Sequence, residues 1–310
     1  MRTSVRLWYA AALITLSALV YQRMVGPTRP SRGQVEVAGE TVRFKLRRSA
    51  GGRGDHPVTV TVPDPALAGV LEFRRHKTDD PWSRRTMTAR ARPDGGVELT
   101  GLLPRQPRGG KVAYRVHLVP RAAAEARADG LSPIEPAAAP PPEGDWTPPA
   151  GSVALPPDGP LVLRFRGHVP RSLLVPHVVL MFMGMLWSNR AGLEALRRRG
   201  NPLGATLWSL LLLGAGGLVL GPAVQWHAFG EAWTGAPFGW DLTDNKTLIA
   251  FVAWGAALLA TRRAAHRGRP QAARGWVLAA ALVTLVIFSI PHSVLGTELD
   301  YTSGKRIIAR

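Results

Sequence analysis

The sequence predicts a membrane α plus β fold: five transmembrane helices, with a β-rich domain inserted between the first and the second. Three observations carry that reading. Five apolar runs approach the ~20 residues that a helix needs to cross the ~30 Å hydrocarbon layer. The stretch between the first two runs alternates apolar and polar residues. Of the three short connections between the later runs, 189–201 and 261–275 are arginine-rich and 225–246, between them, has no arginine. Of the 310 residues only 19% are charged, below the usual ~25%, yet Lys and Arg outnumber Asp and Glu by 39 to 21.

The first run, Leu7–Val20, follows Arg2 and Arg6. Tyr21, Gln22 and Arg23 come next instead of a small-x-small cleavage site, so residues 1–24 read as an uncleaved anchor. Residues 25–169 hold the alternating segments Glu40–Leu46, Val58–Val62, Val70–Arg74, Val97–Leu103, Val112–Val119 and Leu161–Phe165. Glycine-rich turns such as Pro93 to Gly96 and Pro107 to Gly110 separate them. Half-buried strands at this spacing predict an antiparallel β-sandwich of immunoglobulin or fibronectin-III type. The Ala/Pro-rich stretch 121–160 reads as a disordered or extended insertion. Four more runs, Ser172–Trp187, Leu203–Val224, Thr247–Ala260 with some extension, and Trp276–Ile290, predict a four-helix domain over 170–310. Its outer loop is 225–246, and its C-terminal tail faces outward.

Orientation follows from the guanidinium groups. Arg190, Arg197, Arg198 and Arg199 stand against the single acid Glu194, and Arg262, Arg263, Arg267, Arg269 and Arg274 stand against none. Both connections are assigned to the cytoplasm with the N-terminus. The loop with Glu231, Asp241 and Asp244 then faces out, as do the inserted domain and the C-terminus.

The chain has no cysteine, which excludes disulfides, zinc–thiolate sites, cysteine-ligated clusters, covalent c-type haem and cysteine nucleophiles. The positive charge is spread along the chain rather than gathered on one stripe, and P-loop and finger motifs are missing, so no nucleic-acid partner is expected. No HExxH motif or Ser-His-Asp chain order points to hydrolysis.

Histidines inside apolar runs are the first candidates for chemistry, because a polar group there needs a partner. His177, seven residues after Pro170, and His292, at the end of the fifth run, both fall toward the outer leaflet. Two neutral imidazoles from two helices suit b-type haem. Their heights along the helices differ by up to ~9 Å at 1.5 Å per residue, which counts against a shared iron. The plainer account is that each histidine caps a helix end or bonds a backbone group freed by the adjacent proline. Copper is the alternative: His177, Met181 and Met185 lie at i, i+4 and i+8 on one stripe, and thioethers suit Cu(I). A cofactor-free reading stands beside both. In the outer loop, Trp226, Trp233 and Trp240 suit the headgroup level. Glu231, Asp241, Asp244 and Asn245, with Glu298 and Asp300 from the tail, offer oxygens to a ligand or, more simply, to helix capping by Thr243 or Asp244.

The stretch from Ala228 to Thr247, with its Trp233-Thr-Gly-Ala-Pro-Phe-Gly-Trp-Asp-Leu-Thr-Asp-Asn-Lys-Thr core, resembles a group of uncharacterised bacterial integral membrane proteins, as do Ile290–Asp300 and Pro176–Phe182. The resemblance implies a β-rich extracytoplasmic domain followed by a small helical bundle in the bacterial plasma (inner) membrane. It carries no activity and assigns no site residue. The expected function is a membrane component with an outer-face site for haem or a metal in a redox setting. The competing expectation is an assembly scaffold. Membrane lipid and a protein partner for the extracytoplasmic domain are the expected partners.

Overall fold

A computed structural model describes residues 2–93, 95–122, 146–197, 200–291 and 296–308. The chain divides into a helical unit (1–27, 168–297 and 308–310) and a β unit (28–167 and 298–307).

In the β unit, β1 (Ser31–Val37) and β2 (Glu40–Leu46) form a hairpin. Its two-residue turn, Ala38 and Gly39, has φ of 53° and 83°, the doubly left-handed geometry that matches strand twist. One sheet runs β3 (Ser49–Gly51), β11 (Leu161–Arg166), β9 (Lys111–Pro120), β5 (Leu67–Arg75), β6 (Ser83–Thr86), with β10 (Val153–Leu155) also on β9. The other runs β4 (His56–Val62), β8 (Val97–Leu103), β7 (Thr88–Ala91). The alternation read in the sequence is what buries their inner faces: Val58, Val60 and Val62 of β4 and Leu71, Tyr114, Leu118, Leu163 and Phe165 of the first sheet enter one apolar core. The hairpin adds Val42, Phe44 and Leu46 to it. Strand β10 lies inside the stretch expected to be an insertion, so ordered structure resumes before Pro160. Residues 123–145 lie outside the described part. The C-terminal stretch Glu298–Ile307 groups with the β unit rather than with the helices: the Leu299 amide donates to the Gly109 carbonyl (3.1 Å) and the Tyr301 hydroxyl to the Lys111 carbonyl (2.9 Å), while β12 (Thr297–Leu299) and β13 (Arg306–Ile308) pair with each other.

The helical unit contains five helices long and apolar enough to cross a membrane. They are α1 (Arg2–Val25); α2 (Arg171–Ala195); α3 (Leu203–Leu213), which continues through a π-helical stretch, Gly214–Leu220, into α4 (Gly221–Phe229); α5 (Leu242–His266); and α6 (Arg274–Ser289), which follows a 3₁₀ turn at Pro270–Ala273. Each outruns its apolar core. The extension expected of the fourth run falls at its N-terminus, where α5 begins at Leu242, ahead of the apolar core at Thr247. Small residues Ala191, Ala195, Ala250, Ala257 and Ala280 sit buried where helices meet, allowing backbones to approach closely. Trp254 is fully buried among them and donates its indole N–H to Thr284 (2.8 Å), joining α5 to α6. Leu13, Val179, Leu211, Val219, Val252 and Leu282 face outward and exposed, as an apolar solvent would favour.

The π-helical stretch has a local cause. Pro222 has no N–H to continue the ladder, and Gly214, Gly216 and Gly217 yield readily to a wider turn. Those glycines also set the packing, with Gly214 against Phe251 of α5 and Gly216 against Leu180 and Met181 of α2. A β-carbon at Gly217 would overlap the Thr247 methyl of α5. Gly217→Val is therefore expected to destabilise the helical unit by about 1–3 kcal/mol through overpacking. Thermal unfolding in detergent checks this, with the open position Gly255→Val as the comparison that should change little.

Candidate functional site

The oxygen-rich loop closes on itself. Asp241 caps α5: its Oδ1 accepts from the Thr243 amide (2.7 Å), and its Oδ2 accepts from the amide and hydroxyl of Thr297 (2.8 Å each). The cap is therefore Asp241, not Thr243 or Asp244. Asp244 instead reaches back into the loop, where Oδ2 accepts from the Thr234 amide (2.6 Å), the Thr234 hydroxyl (3.1 Å) and Gln225 Nε2 (3.0 Å). Asn245 accepts from the Ala236 amide (2.7 Å), and the Thr234 and Thr297 hydroxyls meet at 3.0 Å. Lys246, 4% exposed, donates to the Ile290 carbonyl (2.8 Å). Glu231 is half-buried in the same loop.

Placing Lys246 in the outer loop 225–246 hid its position in the second turn of an apolar helix. A lysine next to a capped acidic motif was the available signal. The tryptophans divide: Trp226 and Trp240 are exposed, as is Phe238 at 84%, as interfacial anchors would be, whereas Trp233 folds in and donates to the Ala236 carbonyl (3.0 Å).

His177 lies against the π-helical turn, with Nδ1 2.8 Å from the Gly216 carbonyl oxygen. A carbonyl only accepts, so Nδ1 carries a proton, and in the neutral ring Nε2 keeps its lone pair. The carbonyl belongs to the neighbouring helix and was not freed by Pro176. Met181 continues the stripe against Gly216 and Gly217, and Met185 is 2% exposed within the apolar core. His292 lies outside the described residues. Among the described residues, no three His, Asp or Glu side chains gather as a metal site would need.

Glu298 and Asp300 belong to the β unit. Glu298, 3% exposed, accepts from Lys77 (2.6 Å) and from Lys111. Burial alone would raise its pKa, but the hydrogen bonds from the two ammonium groups outweigh it and hold the carboxyl below its ordinary range. Asp300 is a half-buried turn residue that accepts from Thr302 and Ser303. The tail carboxylates are thus each partnered within the β unit.

Two clusters escaped sequence reasoning. At the arginine-rich end of the helical unit, Arg190 lies within α2 rather than in a loop. It donates to Glu194 (2.6 Å) and covers the Trp8 ring at 5.5 Å, and Trp8 meets Trp187 edge-on at 4.7 Å. Asn189 donates to Thr15 (3.0 Å) nearby. On the outer face of the β9–β5–β6 part of the first sheet, Glu72, 1% exposed, accepts from Arg84 (2.8 Å), Arg115 and His117 (3.1 Å). Burial would raise its pKa; the hydrogen bonds from His117, Arg115 and Arg84 overcome that and bring it down to about 2. Around it, Arg74 and Arg115 both stack on Trp82 (4.7 and 5.5 Å), and Arg84 stacks on Trp146 (5.1 Å). Only strand register brings these residues together: Glu72 pairs with Arg84 on one side and Arg115 on the other.

Comparison of the chain with protein-family models, with curated proteins and with solved structures finds no match.

Proposed function

We propose that this is an integral membrane assembly component whose β unit, on the extracytoplasmic side, recruits a protein partner. The observation that carries the reading is the arginine–tryptophan surface on the β9–β5–β6 face. Arg and Trp, half-exposed and stacked, are the residue types that dominate interface hot spots, and here an internal carboxylate holds the guanidinium groups in place. Its positive sign suits an acidic partner. An immunoglobulin-like assignment is supported by strand order: β4–β8–β7 against β5–β9–β11 corresponds to the two-sheet arrangement of that sandwich.

The proposed orientation keeps the N-terminus cytoplasmic, the C-terminus outside and the chain in the bacterial plasma membrane. Short connections make successive helices antiparallel, and Trp8 of α1 meets the late α2 residue Trp187 while Gln22 reaches the end of α6 at Phe288. The start of α1 therefore shares an end with the arginine-rich connections, as the positive-inside rule requires. Kinship with the bacterial membrane proteins that carry the same tryptophan-rich loop belongs to this proposal.

Two measurements test it. Single cysteines need no background removal in this chain. An impermeant maleimide should label Ala232→Cys in intact cells and Asn201→Cys only after permeabilisation; the reverse pattern overturns the orientation. A photo-cross-linking residue at Trp82 should yield one discrete adduct in native membranes, and one at Thr59 on the opposite sheet should not. Equal or missing adducts at both overturn partner recruitment by this face.

One observation favours a cofactor reading as well. His177 is fixed through Nδ1 to a backbone carbonyl, the way a ligating imidazole is oriented, which leaves Nε2 to bind b-type haem iron with His292, or copper with Met181. A Soret band in purified protein, shifted by dithionite and lost in His177→Ala and His292→Ala, supports the haem; a colourless, metal-free preparation rejects both cofactors.

A further inference from the structure

We propose that the arginine-rich end of the helical unit holds one anionic phospholipid in a groove between α5 and the 270–276 segment. The proposal rests on the helices crossing a membrane and is independent of what the β unit binds. Ala256, Leu259, Ala260 and Arg263 fall at i, i+3, i+4 and i+7 on α5, and its C-cap Arg267 continues that stripe at i+11. Ala272, Ala273 and Trp276 form the facing wall, Arg269 stands with them, and the groove encloses about 460 Å³.

The chemistry changes along the stripe. Its first turns carry only methyl and isobutyl groups, and its last turns carry guanidinium groups. From Ala256 to Arg267 the helix rises about 16 Å at 1.5 Å per residue. That is close to the depth of one leaflet of a ~30 Å hydrocarbon layer. The apolar part thus lies at acyl-chain depth when the arginines lie at phosphate depth. Trp276, 56% exposed, sits at the same end, where an indole favours the headgroup layer. Alanines on both walls keep the slot open; larger side chains would close it.

Charge selects the occupant. Arg263, Arg267 and Arg269 make no salt bridge among the described residues, and no Asp or Glu occurs between Asp244 and Glu298 in the sequence. Three uncompensated guanidinium groups over an apolar slot call for an anion with a hydrocarbon tail on the same molecule. Guanidinium forks bind phosphate oxygens in pairs, and the cytoplasmic leaflet is the one that supplies anionic lipid.

The test is native mass spectrometry of the full-length protein, titrated with phosphatidylglycerol or with phosphatidylcholine of the same acyl chains. One phosphatidylglycerol per chain should be retained in preference to phosphatidylcholine. At about fivefold per arginine near the surface, the combined Arg263→Gln, Arg267→Gln and Arg269→Gln variant should bind about 100-fold more weakly. The Arg6→Gln and Arg262→Gln variant removes charge from the same end but not from the groove, and should bind as the native protein does. Ala260→Phe, which fills the slot and leaves every arginine in place, should also lose the lipid. Equal retention of the two lipids, equal loss in the two arginine variants, or displacement by inorganic phosphate alone would overturn the proposal.

Discussion

Glu72→Gln should destabilise the β unit by about 3 kcal/mol, the low end of what breaking a buried ion pair costs. Glutamine keeps one acceptor oxygen but turns its amide toward donors, so at least one of Arg84, Arg115 and His117 loses its partner. The cost stays at the low end because the Arg84 and Arg115 side chains are 16% and 32% exposed, and water takes over part of their solvation. Hydrogen exchange of the β5 and β9 amides in the full-length protein measures the loss. Arg74→Gln, which removes only a stack on Trp82, should cost less than about 1 kcal/mol.

The same carboxylate sets an acid limb. Its folded pKa, about 2, is depressed from an ordinary 4.5, so its contribution is fully present above about pH 4.5 and is lost as pH falls through about 2. The depression corresponds to roughly 3 kcal/mol. Native protein and Glu72→Gln should therefore differ most above pH 4.5 and converge near pH 2. A constant difference across that window would mean that the charge of Glu72 is not what stabilises the sheet.

What the sequence made legible was whatever a local period could encode. Glu40–Leu46 and Val97–Leu103 are strands with the bounds read from alternation, because every second side chain enters the core. Strand β6, Ser-Arg-Arg-Thr, has no apolar residue to alternate; it is a strand because β5 pairs with it and Glu72 meets Arg84 across the pair. Strand β1 was equally silent, since only Val35 and Val37 mark its inner face. The helices were visible as hydropathy, but their polar ends were not. Arg190 and Lys246 looked like loop charges because their burial depends on Glu194, Trp8 and Ile290, which local hydropathy does not connect to them. The loop carboxylates were legible as oxygen donors, and their partners were not: Thr297 lies 56 residues from Asp241.

That long-range pairing makes Asp241→Ala the second large effect. Alanine removes the α5 cap, worth about 1 kcal/mol, and strips the buried Thr297 amide of its acceptor, worth a further 1–3 kcal/mol. A total near 3 kcal/mol should show as faster hydrogen exchange at the start of α5 and at Thr297, while the Thr234 amide, held by Asp244, keeps most of its protection. Asp241→Asn separates the two parts. Its Oδ1 can still cap Thr243, but its amide faces the Thr297 N–H, so about half of the loss should remain. Asp244→Ala should do the converse, stripping the Thr234 amide of its acceptor and leaving the cap intact, while Gln225 keeps its bond to the Thr234 hydroxyl (2.9 Å). Because the Thr234 and Thr297 hydroxyls meet, the two alanine variants should be coupled by roughly 0.5–3 kcal/mol in a double-mutant cycle. Strict additivity would mean that each aspartate holds its own segment and that the loop is two independent caps, in which case no side chain of the motif needs the other.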